Sequence, residues 1–133
     1  MQIIKADPFD VQSICKLIDS YDLPPEIFIK NSQELVQAII EDGCSYCIYL
    51  QNKRGLKLVG ALLVTKENYI DTIVSIEHNA GSMLLKILPA GLYTAHTSEL
   101  NEKSKALFTS FGFKAIRKEI LEGQDRVLYE GTL

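Results

Sequence analysis

The sequence predicts an α/β (α+β) fold, in which helices flank a mixed and mostly antiparallel central sheet. Strand-like and helix-like apolar patterns follow one another in the order β-α-α-β-β-β-α-β-α-β-β. The 133 residues suffice for one continuous core, so we expect a single domain, residues 1–133. Hydrophobic residues make up 47% and charged residues 23% of the chain, a balance typical of globular proteins.

The first third of the chain predicts one strand and two helices. Residues 3–6 are strand-like, and Asp7, followed by proline, is a helix-starting signal ahead of apolar residues at helical spacing. Two prolines at residues 24–25 then break the chain. Asn31 and Glu34 have the spacing of a capping box, which predicts the start of a second helix.

Three strand-like segments follow. Residues 44–50 and 56–64 are joined by a polar link that is typical of a hairpin turn. Residues 69–77 have the most continuous apolar strand pattern in the chain and give its fourth strand. This part of the sheet is therefore predicted to be antiparallel.

A tight turn, residues 78–82, separates the fourth strand from a short predicted helix, residues 83–88, which Pro89 stops. The N-terminus of a helix presents unpaired N–H groups and a partial positive charge. We therefore expect a phosphate-bearing ligand at this turn.

The last third predicts a strand, a helix and two closing strands. Residues 92–97 are strand-like, and Ser98 is placed to cap a helix that ends at Gly112. Residues 113–121 and 126–130 form the closing strands on either side of a turn.

Charge and composition bear on partners and location. The formal net charge is −3, and Lys and Arg form no basic stripe with interleaved aromatic residues, so we do not expect nucleic acid as a partner. No apolar run has the length of a membrane span, and the N-terminus lacks a signal-peptide pattern. A cytoplasmic protein without a membrane partner is predicted, and a homodimer is compatible with the sequence.

The three cysteines include a C-x-x-C at Cys44 and Cys47. An odd number of cysteines fits a reduced compartment better than a disulfide framework. No second cysteine or histidine pair completes four ligands, so we interpret both thiols as buried apolar groups and expect no metal site.

Residues 101–113, NEKSKALFTSFGF, resemble the pattern N-x-x-A-x-x-L-Y-x-x-x-G-F of the Gcn5-related N-acetyltransferases, the GNAT superfamily. Asp10 resembles the usual opening of this family, and residues 58–63 look like its third strand. The predicted element order also matches. The resemblance covers essentially the whole chain and implies the GNAT fold.

The resemblance implies that acetyl-coenzyme A (acetyl-CoA) lies between the fourth and fifth strands, with its pyrophosphate on the turn before the next helix. That turn usually reads R/Q-x-x-G-x-G/A. Here Ile76 stands at the Arg or Gln position, Asn79 at the first Gly and Gly81 at the last. Asn enters left-handed backbone conformations readily, so Asn79 is a tolerable replacement. The backbone N–H groups implied to hold the pyrophosphate belong to Ala80, Gly81, Ser82 and Met83.

The family pattern also implies roles on the last helix. Asn101 lies where the family has an Asn beside the pantetheine arm of the cofactor, and Ser104 replaces the family Ala. Phe108 stands where many members have a Tyr that protonates the departing thiolate, which a phenylalanine cannot do. The hydroxyls available as substitutes belong to Tyr93, Ser98 and Tyr129.

The implied reaction is direct attack of an amine on the thioester, whose carbonyl would be polarised by N–H groups near Ser75 and Ile76. An amine is largely protonated at neutral pH, so a base is needed. Glu77 and His78 are the candidate bases at the end of the fourth strand, and Asp71 and His96 are weaker ones.

Two functions remain open at this point. One is an N-acetyltransferase that acts on a small-molecule or protein amine. The alternative is a catalytically weak or inactive GNAT-fold binding or regulatory module, which the absence of the usual Arg or Gln and Tyr suggests.

Overall fold

The computed structural model describes residues 1–77 and 79–133, and its elements follow the predicted order. A single 3-10 turn, Pro8–Asp10, precedes the first helix. The strands and helices are β1 (Gln2–Lys5), α1 (Val11–Asp19), α2 (Gln33–Asp42), β2 (Tyr46–Asn52), β3 (Gly55–Val64), β4 (Tyr69–Ser75), α3 (Ala80–Lys86), β5 (Leu92–Thr97), α4 (Glu102–Ser110), β6 (Lys114–Leu121) and β7 (Gln124–Thr132).

The strands form one seven-stranded sheet in the order β1-β2-β3-β4-β5-β7-β6. Every neighbouring pair is antiparallel except β4 and β5, which are parallel. The mixed, mostly antiparallel sheet that the sequence predicts is therefore confirmed.

Helices cover both faces of this sheet. On one face, Ile14 and Ile18 of α1 and Val36 of α2 pack against β2 and β3. On the other face, Leu84 of α3 and Phe108 of α4 belong to a second buried cluster that includes residues of β3, β5 and β7. The sheet is thus the middle layer of the fold, with α1 and α2 packed on one face and α3 and α4 on the other.

Two predicted helix caps are wrong by a few residues. The α2 N-cap is Ser32, whose Oγ accepts the Leu35 N–H at 3.2 Å, while Asn31 turns its side chain toward β4. The α4 N-cap is Asn101 rather than Ser98, because Asn101 Oδ1 accepts the Ser104 N–H at 3.2 Å. In both places more than one capping side chain was close enough in sequence to serve.

Some predicted boundaries also move. The fourth strand ends at Ser75 instead of residue 77, and α3 begins at Ala80 instead of residue 83. Asn79 is the N-cap of α3 and has a left-handed φ of 66°, so the helix begins at the next residue. The second strand begins at Tyr46, so Cys44 is exposed in a loop and is not the buried thiol that was predicted.

The register of β4 contains an irregularity that matters for the site. Leu63 of β3 pairs with Thr72 and Val64 pairs with Ile70, which leaves Asp71 as an extra residue. A β-bulge of this kind re-aims the side chains around it. No helix of the described residues is long and apolar enough to cross a membrane.

Replacing Gly43 by Ala is expected to lower the free energy of unfolding by about 1–3 kcal/mol, the usual range for overpacking. An added Cβ would lie 1.9 Å from the Val64 carbonyl oxygen, and that backbone group cannot move aside as a side chain would. Urea denaturation monitored by circular dichroism measures the change.

The control is Gly60→Ala in β3, where the nearest atom to an added Cβ is the Val74 carbonyl oxygen at 3.4 Å. This contact is ordinary, so stability is expected to stay the same or rise by about 0.5–1 kcal/mol. Equal losses in both variants would contradict the tight approach of α2 to β3.

Candidate active site

The centre of the sheet opens between β4 and β5. Only Tyr69 with Thr94 and Ile70 with Ala95 pair across this junction, and the remaining lengths of the two strands are unpaired with each other. A cavity of about 560 Å³ opens here. Its walls come from the loop between α1 and α2, the strands β4 and β5, the helix α4 and the turn between β6 and β7.

The backbone groups at the end of β4 point in two directions, some toward β3 and some toward the gap. The Ile76 N–H donates to the Val59 carbonyl of β3 at 2.9 Å. Ser75 turns the other way, and the Tyr21 hydroxyl accepts its N–H at 2.6 Å and donates to its carbonyl at 2.7 Å. Both N–H groups predicted to polarise a thioester carbonyl are therefore engaged in this conformation.

Backbone groups of an antiparallel strand point alternately to its two neighbours. Since Ile76 faces β3 and Ser75 faces the gap, Ile73 also faces the gap, beyond the last residue of β4 that pairs with β5. The N–H and carbonyl of Ile73 thus form an open strand edge inside the cavity.

The predicted anion site lies at the start of α3. Asn79 adopts the left-handed conformation expected of a residue that replaces Gly. The Ala80 N–H donates to the Glu77 carbonyl at 3.3 Å and the Met83 N–H to the Asn79 carbonyl at 3.0 Å. Of the four predicted N–H groups, those of Gly81 and Ser82 have no partner among the described residues.

Two further features surround this turn. Ile76 is 47% exposed and brings no charge, but Lys103 of α4 places its Nζ 3.5 Å from the Ser75 carbonyl oxygen. Gly81 has a packing reason to be glycine, since an added Cβ would lie 3.2 Å from Leu107 Cδ2 of α4.

All three residues predicted on α4 line the cavity: Asn101, Ser104 and Phe108. Their spacing places them on one face of the helix. Phe108 is also core, because it is 2% exposed and its ring centroid lies 5.2 Å from that of Phe113. The ring therefore forms an apolar wall rather than a source of protons.

The hydroxyls considered as substitutes for the missing Tyr differ in position. Tyr93 is buried and donates its hydroxyl hydrogen to the Pro89 carbonyl at 2.8 Å, away from the cavity. Tyr129 is buried against Phe108. Ser98 is the one of the three that lines the cavity.

The predicted bases fall in different places. Glu77 does not line the cavity, although its carbonyl accepts a hydrogen bond at the start of α3. His78 lies outside the described residues. Asp71 and His96, the weaker candidates, both line the cavity.

The structure adds a hydrogen-bonded chain that the sequence did not predict. Tyr69 of β4, His96 of β5 and Glu119 of β6 are joined through the imidazole, with 2.8 Å from Tyr69 Oη to His96 Nδ1 and 3.0 Å from His96 Nε2 to Glu119 Oε1. Tyr69 and His96 line the cavity. Since the three residues lie on separate strands, no spacing along the chain signals their contact.

The protonation states in this chain follow from its partners. The hydrogen bond with His96 lowers the pKa of Glu119 below its ordinary value, so this carboxylate accepts at neutral pH. We therefore assign the imidazole hydrogen to Nε2, which leaves Nδ1 to accept from the Tyr69 hydroxyl. Burial, together with the negative charges of Asp71 and Glu119, raises the pKa of Tyr69 to about 12, so the phenol stays protonated.

The cysteines take no part in this site. Cys47 is fully buried on the sheet, and burial raises the pKa of its thiol to about 12. None of the three cysteines lines the cavity. A thiol so rarely ionised is a poor nucleophile.

Comparison with known proteins gives matches in structure. No protein-family model and no curated protein matches the sequence. A GNAT-family acetyltransferase from Bacillus cereus ATCC 10987 is 18% identical, with a TM-score of 0.74 over 98% of this chain and 96% of that one.

Two further solved structures have a similar fold. NAA60 of Arabidopsis thaliana, in complex with a bisubstrate analogue, is 16% identical, with a TM-score of 0.73 over 98% of each chain. The ribosomal-protein-S18-alanine N-acetyltransferase of Escherichia coli is 13% identical, with a TM-score of 0.73 over 98% of this chain and 92% of that one. At such identities a likeness shows the fold, and the chain has the fold of the Gcn5-related N-acetyltransferases that residues 101–113 predicted.

Proposed function

We propose that this protein binds acetyl-CoA between β4 and β5 and transfers the acetyl group to the primary amine of a small molecule or a protein. The observation that carries the proposal is the unpaired junction after Ile70 and Ala95, which opens into a cavity of about 560 Å³. Related folds support it, since one structure of Arabidopsis thaliana NAA60 contains acetyl-CoA.

The residues at the junction are suited to bind the amide groups of the pantetheine arm of the cofactor. An open strand edge pairs readily with the N–H and C=O groups of an added extended segment. Ile73 offers such an edge, and Asn101 and Ser104 of α4 face the same cavity. The cofactor would supply an activated thioester there, and Ile73 N–H is the group we propose to polarise its carbonyl.

The N–H groups of Gly81 and Ser82 and the ammonium group of Lys103 are proposed to hold the pyrophosphate. Lys103 reaches the end of β4 from α4 and so brings a positive charge that Ile76 cannot supply. An ammonium group is a point charge that binds phosphate without the fork of a guanidinium.

For proton removal, we propose that Tyr69 Oη accepts a proton from the acceptor amine as its own hydrogen passes to His96 Nδ1. Glu119 then stabilises the imidazolium. The amine attacks the thioester directly, and no acyl group is placed on the protein. The Ser98 hydroxyl, on the cavity wall, is proposed to donate a hydrogen bond to the departing thiolate, which then takes its proton from solvent. Glu77 and His78 stay predictions from the sequence.

A calorimetric titration with acetyl-CoA, followed by a thiol-release assay with a panel of amines, tests the whole proposal. Saturable binding and amine-dependent thiol release are expected. Binding without release would favour the alternative, a binding or regulatory module, which Phe108 in place of a proton-donating Tyr favours. Absence of binding at millimolar ligand would contradict both.

Replacing Tyr21 by Phe is expected to tighten acetyl-CoA binding by about 2- to 10-fold, the equivalent of one net hydrogen bond. The Tyr21 hydroxyl occupies the N–H and carbonyl of Ser75 on the edge that we assign to the cofactor. The ring packs on Phe28 with centroids 5.3 Å apart, a contact that Phe retains. Weaker binding in calorimetry would instead show that the hydroxyl contacts the cofactor.

Replacing Tyr69 by Phe is expected to lower kcat by about 10²- to 10⁴-fold, the usual contribution of a positioned base, with little change in the Kd for acetyl-CoA. His96→Asn should have a similar effect. Combining the two should add little, because both act on one proton path. The control is Tyr46→Phe, since Tyr46 lies on β2 and does not line the cavity. Wild-type turnover in Tyr69→Phe would exclude this path.

A further inference from the structure

A buried cation stands in the wall of the same cavity. Arg126 of β7 is 5% exposed, and its guanidinium donates to the carbonyls of Pro25 at 2.6 Å, Glu26 at 3.2 Å and Asp125 at 2.7 Å. Two of these carbonyls belong to the loop between α1 and α2, so Arg126 ties that loop to the sheet.

The direct hydrogen-bond acceptors of the Arg126 guanidinium among the described residues are backbone carbonyls. No carboxylate of the described residues lies within 4.0 Å of its guanidinium. Buried charges are normally paired, since carbonyl dipoles alone repay only part of the lost hydration. Burial accordingly lowers the pKa of Arg126 below its ordinary value.

The guanidinium of Arg126 also has N–H groups without a partner among the described residues. Its Nε has no hydrogen-bond partner among the described residues. Every fully buried side-chain nitrogen and oxygen of these residues does have a partner, so Nε must be accessible to solvent. Arg126 lines the cavity at β4 and β5 and also a smaller one of about 430 Å³. The smaller cavity carries Glu26, Glu99 and Asp125, which repel an anion.

The carboxylates that influence Tyr69 in the main cavity are not those that influence Arg126. Asp71 and Glu119 act on the pKa of Tyr69, whereas the carboxylates that act on Arg126 are Asp125 and Glu26. Tyr69 and Arg126 therefore line the same cavity but are influenced by different carboxylates. Lys30 and Glu122, both exposed at the cavity, carry opposite charges.

We propose that the acceptor carries a carboxylate as well as the reacting amine, and that Arg126 binds this carboxylate while the amine lies at Tyr69. The inference rests on the proposed function and names its substrate class. A guanidinium matches a carboxylate with parallel hydrogen bonds, and the pair is stronger where water is largely excluded. The carboxylate belongs either to a free amino acid or to an acidic side chain near the N-terminus of a peptide.

The test compares each acid with its own amide. The probes are glycine, β-alanine, 4-aminobutyrate and 6-aminohexanoate with their carboxamides, and Ala-Asp peptides with their Ala-Asn counterparts. The best acid is expected to have a KM about 10- to 100-fold below that of its amide with kcat nearly unchanged, because a charge-assisted contact is present before and during reaction. A preference confined to one set of probes identifies the source of the carboxylate.

Arg126→Gln should bring the ratio of acid to amide close to 1, whereas Lys30→Gln, which removes an exposed cation at the same cavity, should preserve it. If Arg126→Gln does not fold, Arg126→Lys keeps the charge and loses the fork, and its ratio should fall between the other two. Equal KM values for acids and amides in the wild-type protein would overturn the proposal, as would loss of the ratio in Lys30→Gln alone.

A second readout does not depend on turnover. In the presence of coenzyme A, the best acid should raise the melting temperature of the wild-type protein and its amide should not, a difference that Arg126→Gln abolishes. If acetyl-CoA does not bind, the proposed function fails, and the acid and amide shifts of the protein alone still decide the carboxylate site. If amides are acetylated with the same KM as their acids, the carboxylate proposal fails and the acetyltransferase proposal stands.

Discussion

The short parallel junction between β4 and β5 is the constraint on which the rest of the site depends. β5 pairs with β7 from Leu92 to Thr97, and β4 pairs with β3 up to Ser75. Each of the two central strands is therefore paired with its outer neighbour along nearly its whole length. Between the halves, pairing stops at Ile70 and Ala95. The backbone groups released by this early stop face the cavity, where an extended ligand can bond to them.

The bulge at Asp71 arranges the polar side of this opening. Asp71 accepts hydrogen bonds from the Asn31 amide and, at 2.8 Å, from the Thr72 hydroxyl, so the start of α2 is tied to the bulged strand. Just before the bulge, Tyr69 reaches His96 on the neighbouring strand. The contact between Asn31 and Asp71 therefore links α2 to the strand junction, and the groups that we propose to move a proton lie where the sheet opens.

The loop between α1 and α2 is held at both of its sides by polar contacts with the sheet. Tyr21 bonds to the backbone of Ser75, and Arg126 bonds to the carbonyls of Pro25 and Glu26. This loop and α4 both line the cavity. The position of the loop thus determines how much of the β4 edge is free, since Tyr21 occupies the N–H and carbonyl of Ser75.

The sequence by itself determined the order of the elements, because strand and helix periodicity act over a few residues. The left-handed position of Asn79 and the cavity face of α4 were implied by the resemblance to the GNAT pattern, and the structure has both. It did not predict which N–H groups are free, since Tyr21 reaches Ser75 from a distant loop. Only the tertiary structure decided the contacts of Tyr69, His96 and Glu119 and the buried cation of Arg126. These depend on strand order and register, which set the distance between residues far apart in the chain and leave no local pattern.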